Sequence, residues 1–298
     1  MTKKRVGLIG VGLMGHGIGI NVLRGGYPLS LVVHRSRGPA DDLIRNGAVE
    51  VPTARQLAES TDVVILCVTG SPQVEDVVYR SDGLLSGMRD GLIVADCSTA
   101  EPDSTVKIAA DVAGRGGRFV DTPMTRTPRE AEAGKLGLMT GGDRAVLADI
   151  HPILSCFADT IIHAGDVGAA HRLKLINNFL SLGTAAVVAE GIVAGLRAGV
   201  DMQALHDIVV AGGANSVMFE RIIKVVLKDD DTAAKFSISN ARKDLRYYTN
   251  MTETLPVASF VAESVHQTFL LAENLGYGER FVPRLVDVMR QLNRLDGK

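Results

Sequence analysis

The 298-residue chain has no tryptophan, only 4% aromatic residues and three cysteines, and its 32 basic and 34 acidic side chains leave a formal charge of −2. Each shortage closes off a class of function. Nucleic-acid domains carry a basic face, and single-strand binders stack bases on aromatic side chains, so no nucleic-acid partner is expected. Cys67, Cys97 and Cys156 stand far apart without CxxC spacing; buried thiols in a reducing compartment are expected rather than a disulfide framework. Seven histidines are scattered without an HExxH pair, and His163 and His171 lack ligand spacing, so no metal is expected. The strongly apolar stretches are broken by Gly, Arg or Glu within 20 residues, and MTKKRVGLIG enters a strand-like run with no h-region or cleavage site. A cytoplasmic protein without membrane contact is the expectation.

What the chain does have is 46% hydrophobic side chains arranged in two textures. Short β-branched runs at 5–9 (RVGLI), 29–34 (LSLVVH), 62–68 (DVVILCV), 92–96 (LIVAD) and 117–121 (GRFVD) alternate with helix-length segments. Continuous apolar strands with helical crossovers predict a doubly wound α/β parallel sheet covered on both faces. KLGLMTGG at 135–142 and TIIHAG at 160–165 extend it. From Gly168 the pattern turns helical, and HRLKLINNFLSLGTAAVVAEGIVAGLRAGV runs without proline. A helix apolar nearly all round is expected to be buried, as a spine between two domains or within an oligomer. Asp201 is expected to cap the next helix, and Gly212–Gly213 to break it. Two domains follow, 1–165 built on the sheet and 166–298 all helical, joined by the long helix.

Gly10, Gly12 and Gly15 have GxGxxG spacing directly after a strand and at the opening of a helix, the context that makes the pattern a dinucleotide fingerprint. The first glycine allows the turn, the second lets the main chain approach the pyrophosphate, and the third allows helix-to-strand packing. NAD sites place a carboxylate at the end of the second strand; here that place reads HRSR, with none before Asp41. Arg35 and Ser36 offer charge and donors to a 2′-phosphate, so NADP is the preferred cofactor and NAD the other possibility. Further on, Lys174, Asn177, Asn178 and Ser181 fall at i, i+3, i+4 and i+7 of the long helix, on one face. A lysine and two amides on so apolar a helix need a polar cleft, a ligand or a bonded network. Such a lysine suits carbonyl chemistry, giving a proton to the oxygen that gains charge or removing it in reverse.

GVGLMG, DCSTAEP at 96–102, DTP at 121–123, KLINN at 174–178 and ARKDL at 241–245 together resemble the 3-hydroxyisobutyrate dehydrogenase family of β-hydroxyacid dehydrogenases, in order over essentially the whole chain. The resemblance implies a Rossmann-type domain followed by a helical one, and homodimers or homotetramers. It implies hydride passing between nicotinamide and a small 3-hydroxy acid or its semialdehyde. It also implies Lys174 as the catalytic lysine, Asn178 positioning the substrate, Leu13, Met14, Val68 and Thr99 lining the cofactor, and Lys243 reaching it from the helical domain. Most members carry Ser-Gly-Gly after the proline of the DTP segment; this chain has Thr125, Arg126 and Thr127 there, with Glu130 where glycine is common. An Arg-Thr in this loop, with KLINN and a following serine, is similar to the sulfolactaldehyde reductase branch, which carries an acidic residue where this chain has HRSR. Arg126 follows a strand at the carboxyl edge of the sheet, where a guanidinium flanked by hydroxyls can grip a carboxylate or sulfonate. The expected reaction is an NAD(P)-dependent interconversion of a small anionic hydroxy acid and semialdehyde, held by Thr125, Arg126, Thr127, Asn177, Asn178 and Ser181. A sulfolactaldehyde reductase proper, an imine-reductase-like chemistry and a non-catalytic dinucleotide-binding module are the alternatives.

Overall fold

Residues 3–34, 37–232 and 234–295 are described by a computed structural model of the chain. It divides into two compact units, residues 1–174 and 175–298. In the first, strands and helices alternate: β1 (Val6–Ile9), α1 (Leu13–Arg24), β2 (Leu29–Val32), α2 (Arg37–Arg45), β3 (Val49–Glu50), α3 (Ala54–Ser60), β4 (Val63–Leu66), α4 (Ser71–Tyr79), β5 (Ile93–Asp96), α5 (Pro102–Ala113) and β6 (Arg118–Asp121). Then come β7 (Met124–Thr125), α6 (Pro128–Glu132), β8 (Leu136–Gly141), α7 (Arg144–Leu154) and β9 (Ala158–Gly165). The sheet runs β3-β2-β1-β4-β5-β6-β8-β7, with β9 on β8. The first six are parallel neighbours, and their order is that of a Rossmann sheet, which turns back on itself between β1 and β4.

The apolar runs take this form because both faces of the sheet are covered. Leu8, Ile65, Ala95 and Val120 point to one side, with Ile18, Leu43 and Ile150 of α1, α2 and α7. Val64, Leu66, Val94 and Phe119 point to the other, with Leu57, Val74 and Ile108 of α3, α4 and α5. Each Leu or Ile so buried contributes on the order of 1.5–3 kcal/mol. Of the thiols, Cys97 is buried, while Cys67 and Cys156 are only half-buried.

The helices α8 (Ala169–Arg197), α9 (Met202–Ala211), α10 (Val217–Lys228), α11 (Ile238–Thr254), α12 (Phe260–Ala272) and α13 (Leu285–Leu292) complete the chain. Asp201 accepts from the Ala204 N–H at 2.8 Å and caps α9, which stops at Gly212. The core of the second unit gathers Leu182, Ala185, Ala189 and Ile192 of α8 with Phe219, Ile222, Leu245 and Phe269. Within the single chain α8 is not covered all round: Ile176, Leu180 and Val187 are exposed, Val187 at 72%. They fall at i, i+4 and i+11, one face turned away from the core. By length and composition α8 is apolar enough to cross a membrane, and a third of its most apolar stretch is buried within the protein.

Candidate functional site

The loop between β1 and α1 has the build that a dinucleotide needs. Gly10 has φ +100°, and a Cβ there would stand 2.1 Å from the Cys67 carbonyl oxygen. A Cβ on Gly15 would stand 1.9 Å from the Gly10 carbonyl oxygen. At Gly12, the residue preceding α1, a Cβ would meet nothing within 4 Å. Gly10 and Gly15 are thus required by the protein's own packing, and Gly12 leaves the main chain open to an approaching group. The first turn of α1 holds no acidic residue and no side-chain cap, so its N–H groups and dipole stand ready for an anion. These residues fit a pyrophosphate. Leu13 is 68% exposed and Met14 packs partly against the core. Arg35 and Ser36 lie outside the described residues. Arg37 is held by Glu50 at 2.9 Å and Asp41 at 2.8 Å.

One turn into α1, His16 joins three helices, with Nδ1 2.7 Å from Glu132 of α6 and Nε2 3.0 Å from Asp42 of α2. Burial alone would lower its pKa, but the hydrogen bonds and charges of the two carboxylates outweigh this and raise it. The GxGxxG reading passed over this residue, although a histidine directly after the third glycine could have drawn notice.

At the ends of β4 and β5, the Val68 N–H donates to the Ser98 hydroxyl at 3.0 Å, and Thr99 is half-buried beside it. The Cys67 thiol is pushed up to about 12 by burial, with Asp96 adding to the effect. Its side chain packs against the core of the sheet.

The loop after β6 is more tied down than its sequence suggests. Thr125 donates from its hydroxyl to the Gly137 carbonyl at 3.3 Å. Arg126 has φ +79°, a conformation that glycine adopts freely and other residues at a cost of about 1–2 kcal/mol. Glycine would adopt this conformation without that cost. Its guanidinium donates to Asp159 at 2.7 Å, to the Thr160 hydroxyl at 3.2 Å and to the Lys135 carbonyl. Thr127 precedes α6 and forms a capping box with Glu130, whose carboxylate accepts the Thr127 N–H at 3.1 Å and the Thr127 hydroxyl proton. The Thr127 hydrogen bond holds the Glu130 carboxyl below its usual range. T-P-R-E is a capping signature with proline at the first helical position, and it explains Thr127, Pro128 and Glu130 together.

On α8, Lys174 is half-buried, Asn177 is exposed, Asn178 is buried and Ser181 is half-buried. Asn178 Nδ2 donates to Asp244 of α11 at 2.6 Å, and the Asn177 amide reaches the Asn178 oxygen at 3.3 Å. Asp244 is itself buried. The Lys243 ammonium stands 3.0 Å from its second oxygen and 5.0 Å above the Tyr247 ring. Phe179 stacks on Tyr248 with centroids 4.4 Å apart. Asp244 was missed by sequence reasoning because its partner lies 66 residues away. In chemical terms, α8 carries an ammonium one turn before an amide whose orientation is fixed by a buried carboxylate.

A family model described as the NAD binding domain of 6-phosphogluconate dehydrogenase matches residues 5–165, and one described as NAD-binding of NADP-dependent 3-hydroxyisobutyrate dehydrogenase matches residues 168–288. Fold and glycine loop together therefore define an oxidoreductase that uses NAD(P). The chain is similar to 2-(hydroxymethyl)glutarate dehydrogenase of Eubacterium barkeri, at 28% identity over 97% of this chain and 95% of that protein. It is 31% identical to 2-hydroxy-3-oxopropionate reductase of Escherichia coli K12, over 81% of this chain and 82% of that one. The crystal structure of 3-hydroxyisobutyrate dehydrogenase from Salmonella typhimurium superposes with a TM-score of 0.85 at 26% identity, covering 96% of this chain and all of that one. The chain belongs to the β-hydroxyacid dehydrogenase family. It also matches the cytokine-like nuclear factor N-PAC of Xenopus tropicalis at 28% identity over 92% of its length, while spanning about half (51%) of that protein.

Proposed function

We propose that the protein interconverts a short hydroxy acid and its semialdehyde, with Lys174 as the proton donor and acceptor and NADP(H) as the preferred cofactor. The observation that carries this reading is the polar row on α8: a half-buried lysine, then Asn178 held by the buried Asp244 at 2.6 Å. When bound, the nicotinamide supplies or takes the hydride. The Lys174 ammonium gives a proton to the carbonyl oxygen as it gains charge, and the amine takes it back from the alcohol in the other direction. Asn178 presents its side-chain oxygen in one orientation, since its NH2 is committed to Asp244, and Ser181 extends the same face by one turn. Leu13, Met14, Val68 and Thr99 would flank the cofactor, Arg35 and Ser36 would meet a 2′-phosphate, and Lys243 would meet the cofactor beside Asp244.

The substrate's anionic tail, carboxylate or sulfonate, is assigned to the loop of Thr125, Arg126 and Thr127, and Asn177 of the α8 row to the same substrate. For Arg126 to take that anion, its guanidinium must exchange Asp159 for the substrate. The exposed face of α8, with Phe260 at 86% exposure and Val261 at 65% on α12, supports a homodimer or homotetramer built through the helical unit; the cytoplasm is its proposed place of action. Oxidation of NADPH and NADH should be followed against succinic, methylmalonic and tartronic semialdehydes, glyoxylate and sulfolactaldehyde. Turnover of at least one, faster with NADPH, is expected; turnover of none would refute the reading.

A further inference from the structure

Underneath the loops that carry Val68 and Thr99 lies a polar cluster that the proposed reaction does not use. His171, in the first turn of α8, has a wholly buried ring. Its Nδ1 lies 2.7 Å from the Thr105 hydroxyl of α5, and its Nε2 donates to the Ser98 carbonyl at 3.1 Å. A carbonyl only accepts, so Nε2 carries the proton. Asp121, wholly buried at the end of β6, accepts from the N–H groups of Gly168 and His171, both at 2.9 Å. Asp96, at the end of β5, accepts from the Ser98 N–H at 2.9 Å through one oxygen, while the other stands 4.0 Å from His171 Nε2. The Ser98 hydroxyl in turn receives the Val68 N–H. One connected path therefore runs from the Val68 loop through Ser98 to the His171 ring and the first turn of α8, and Lys174 is the next residue along on that side of the helix, at i+3.

Two carboxylates and an imidazole cost desolvation energy in this position, and an apolar side chain could fill the volume without it. We infer that His171 is a positioning residue: its ring sets the distance between the start of α8, and so Lys174, and the loops of Val68 and Thr99. This rests on the proposed role of Lys174. Removing the ring leaves the cofactor loop and the lysine in place but no longer in register, and misplacement by about 1 Å can cost on the order of a hundredfold in rate.

The full chain should be compared with His171→Leu and His171→Gln, using NADPH and the best-turned-over semialdehyde of the screen above. His171→Leu should lower kcat by about 10- to 100-fold with KM and the NADPH Kd nearly unchanged. In the cofactor-free protein, amide hydrogen exchange over residues 169–174 should speed up. His171→Gln, which keeps a donor for the Ser98 carbonyl, should recover a large part of both. Normal kcat in His171→Leu, or loss of kcat and NADPH affinity together without rescue by Gln, would overturn the inference. Should His171→Leu fail to fold, Thr105→Val removes the Nδ1 partner alone and should show the same split at smaller size; an unchanged kcat there would also overturn it. An inactive Lys174→Ala beside a fully active His171→Leu refutes this inference only, whereas an active Lys174→Ala refutes the reading beneath it.

Discussion

Replacing Gly12 by alanine separates cofactor binding from folding. Gly12 has φ −99°, which alanine adopts without strain, and its added Cβ would meet nothing within 4 Å. Glycine at this capping position is better than alanine by up to about 1 kcal/mol, while alanine restricts the unfolded chain and returns about 0.4–1 kcal/mol. The net change in stability should therefore be close to zero. The open space at Gly12 is, however, where a pyrophosphate would approach the N–H groups of α1, and a methyl group there holds the phosphate off. Loss of one or two charge-assisted hydrogen bonds, each about 1.5–3 kcal/mol, corresponds to a rise in Kd of roughly 10-fold or more at 1.4 kcal/mol per decade. NADPH titration by fluorescence, with thermal melting of the free protein in parallel, reads both quantities. Gly15→Ala is the control: its Cβ would fall 1.9 Å from a carbonyl oxygen, so it should lose the fold itself. A Gly12→Ala protein that binds NADPH normally would show that the glycine loop does not hold the pyrophosphate.

Other expectations follow from the same structure. His16 has a raised pKa, so its ties to Glu132 and Asp42 stabilise fully below its unfolded value near 6.5 and are lost as pH rises through the folded value; the melting-temperature gap between wild type and His16→Gln should shrink from pH 6 to pH 9, and a constant gap would refute it. Glu130→Ala opens the capping box and should cost about 1 kcal/mol in urea unfolding, whereas an unchanged midpoint would show the cap to be idle. Arg126→Gly should relieve the backbone conformation at φ +79° and raise KM for the anionic substrate; an unchanged KM would remove Arg126 from the site. Asp159→Asn should lower that KM a few-fold by releasing the guanidinium, and a raised KM would mean that Asp159 aims the arginine instead.

Much of this was legible in the sequence because buried parallel strands read as unbroken apolar runs, and because the glycine spacing sits between a strand and a helix. The two-residue strands β3 and β7 were not, since so short a segment has no periodicity to detect. T-P-R-E is a capping signature legible in the sequence, and it accounts for Thr127, Pro128 and Glu130 without a ligand. The partners of Arg126 and Asn178, Asp159 and Asp244, lie 33 and 66 residues away, and only the fold brings them together. The exposed row of Ile176, Leu180 and Val187 could not be singled out in advance, because an apolar residue on a helix apolar nearly all round carries no mark of which face the chain itself covers.

The central claim is that Lys174 moves the proton. Single-turnover oxidation of NADPH by Lys174→Ala, with the NADPH Kd measured on the same protein, tests it most directly. A fall of at least about 100-fold in rate with cofactor affinity intact is predicted, and a rate equal to that of the wild type would contradict it.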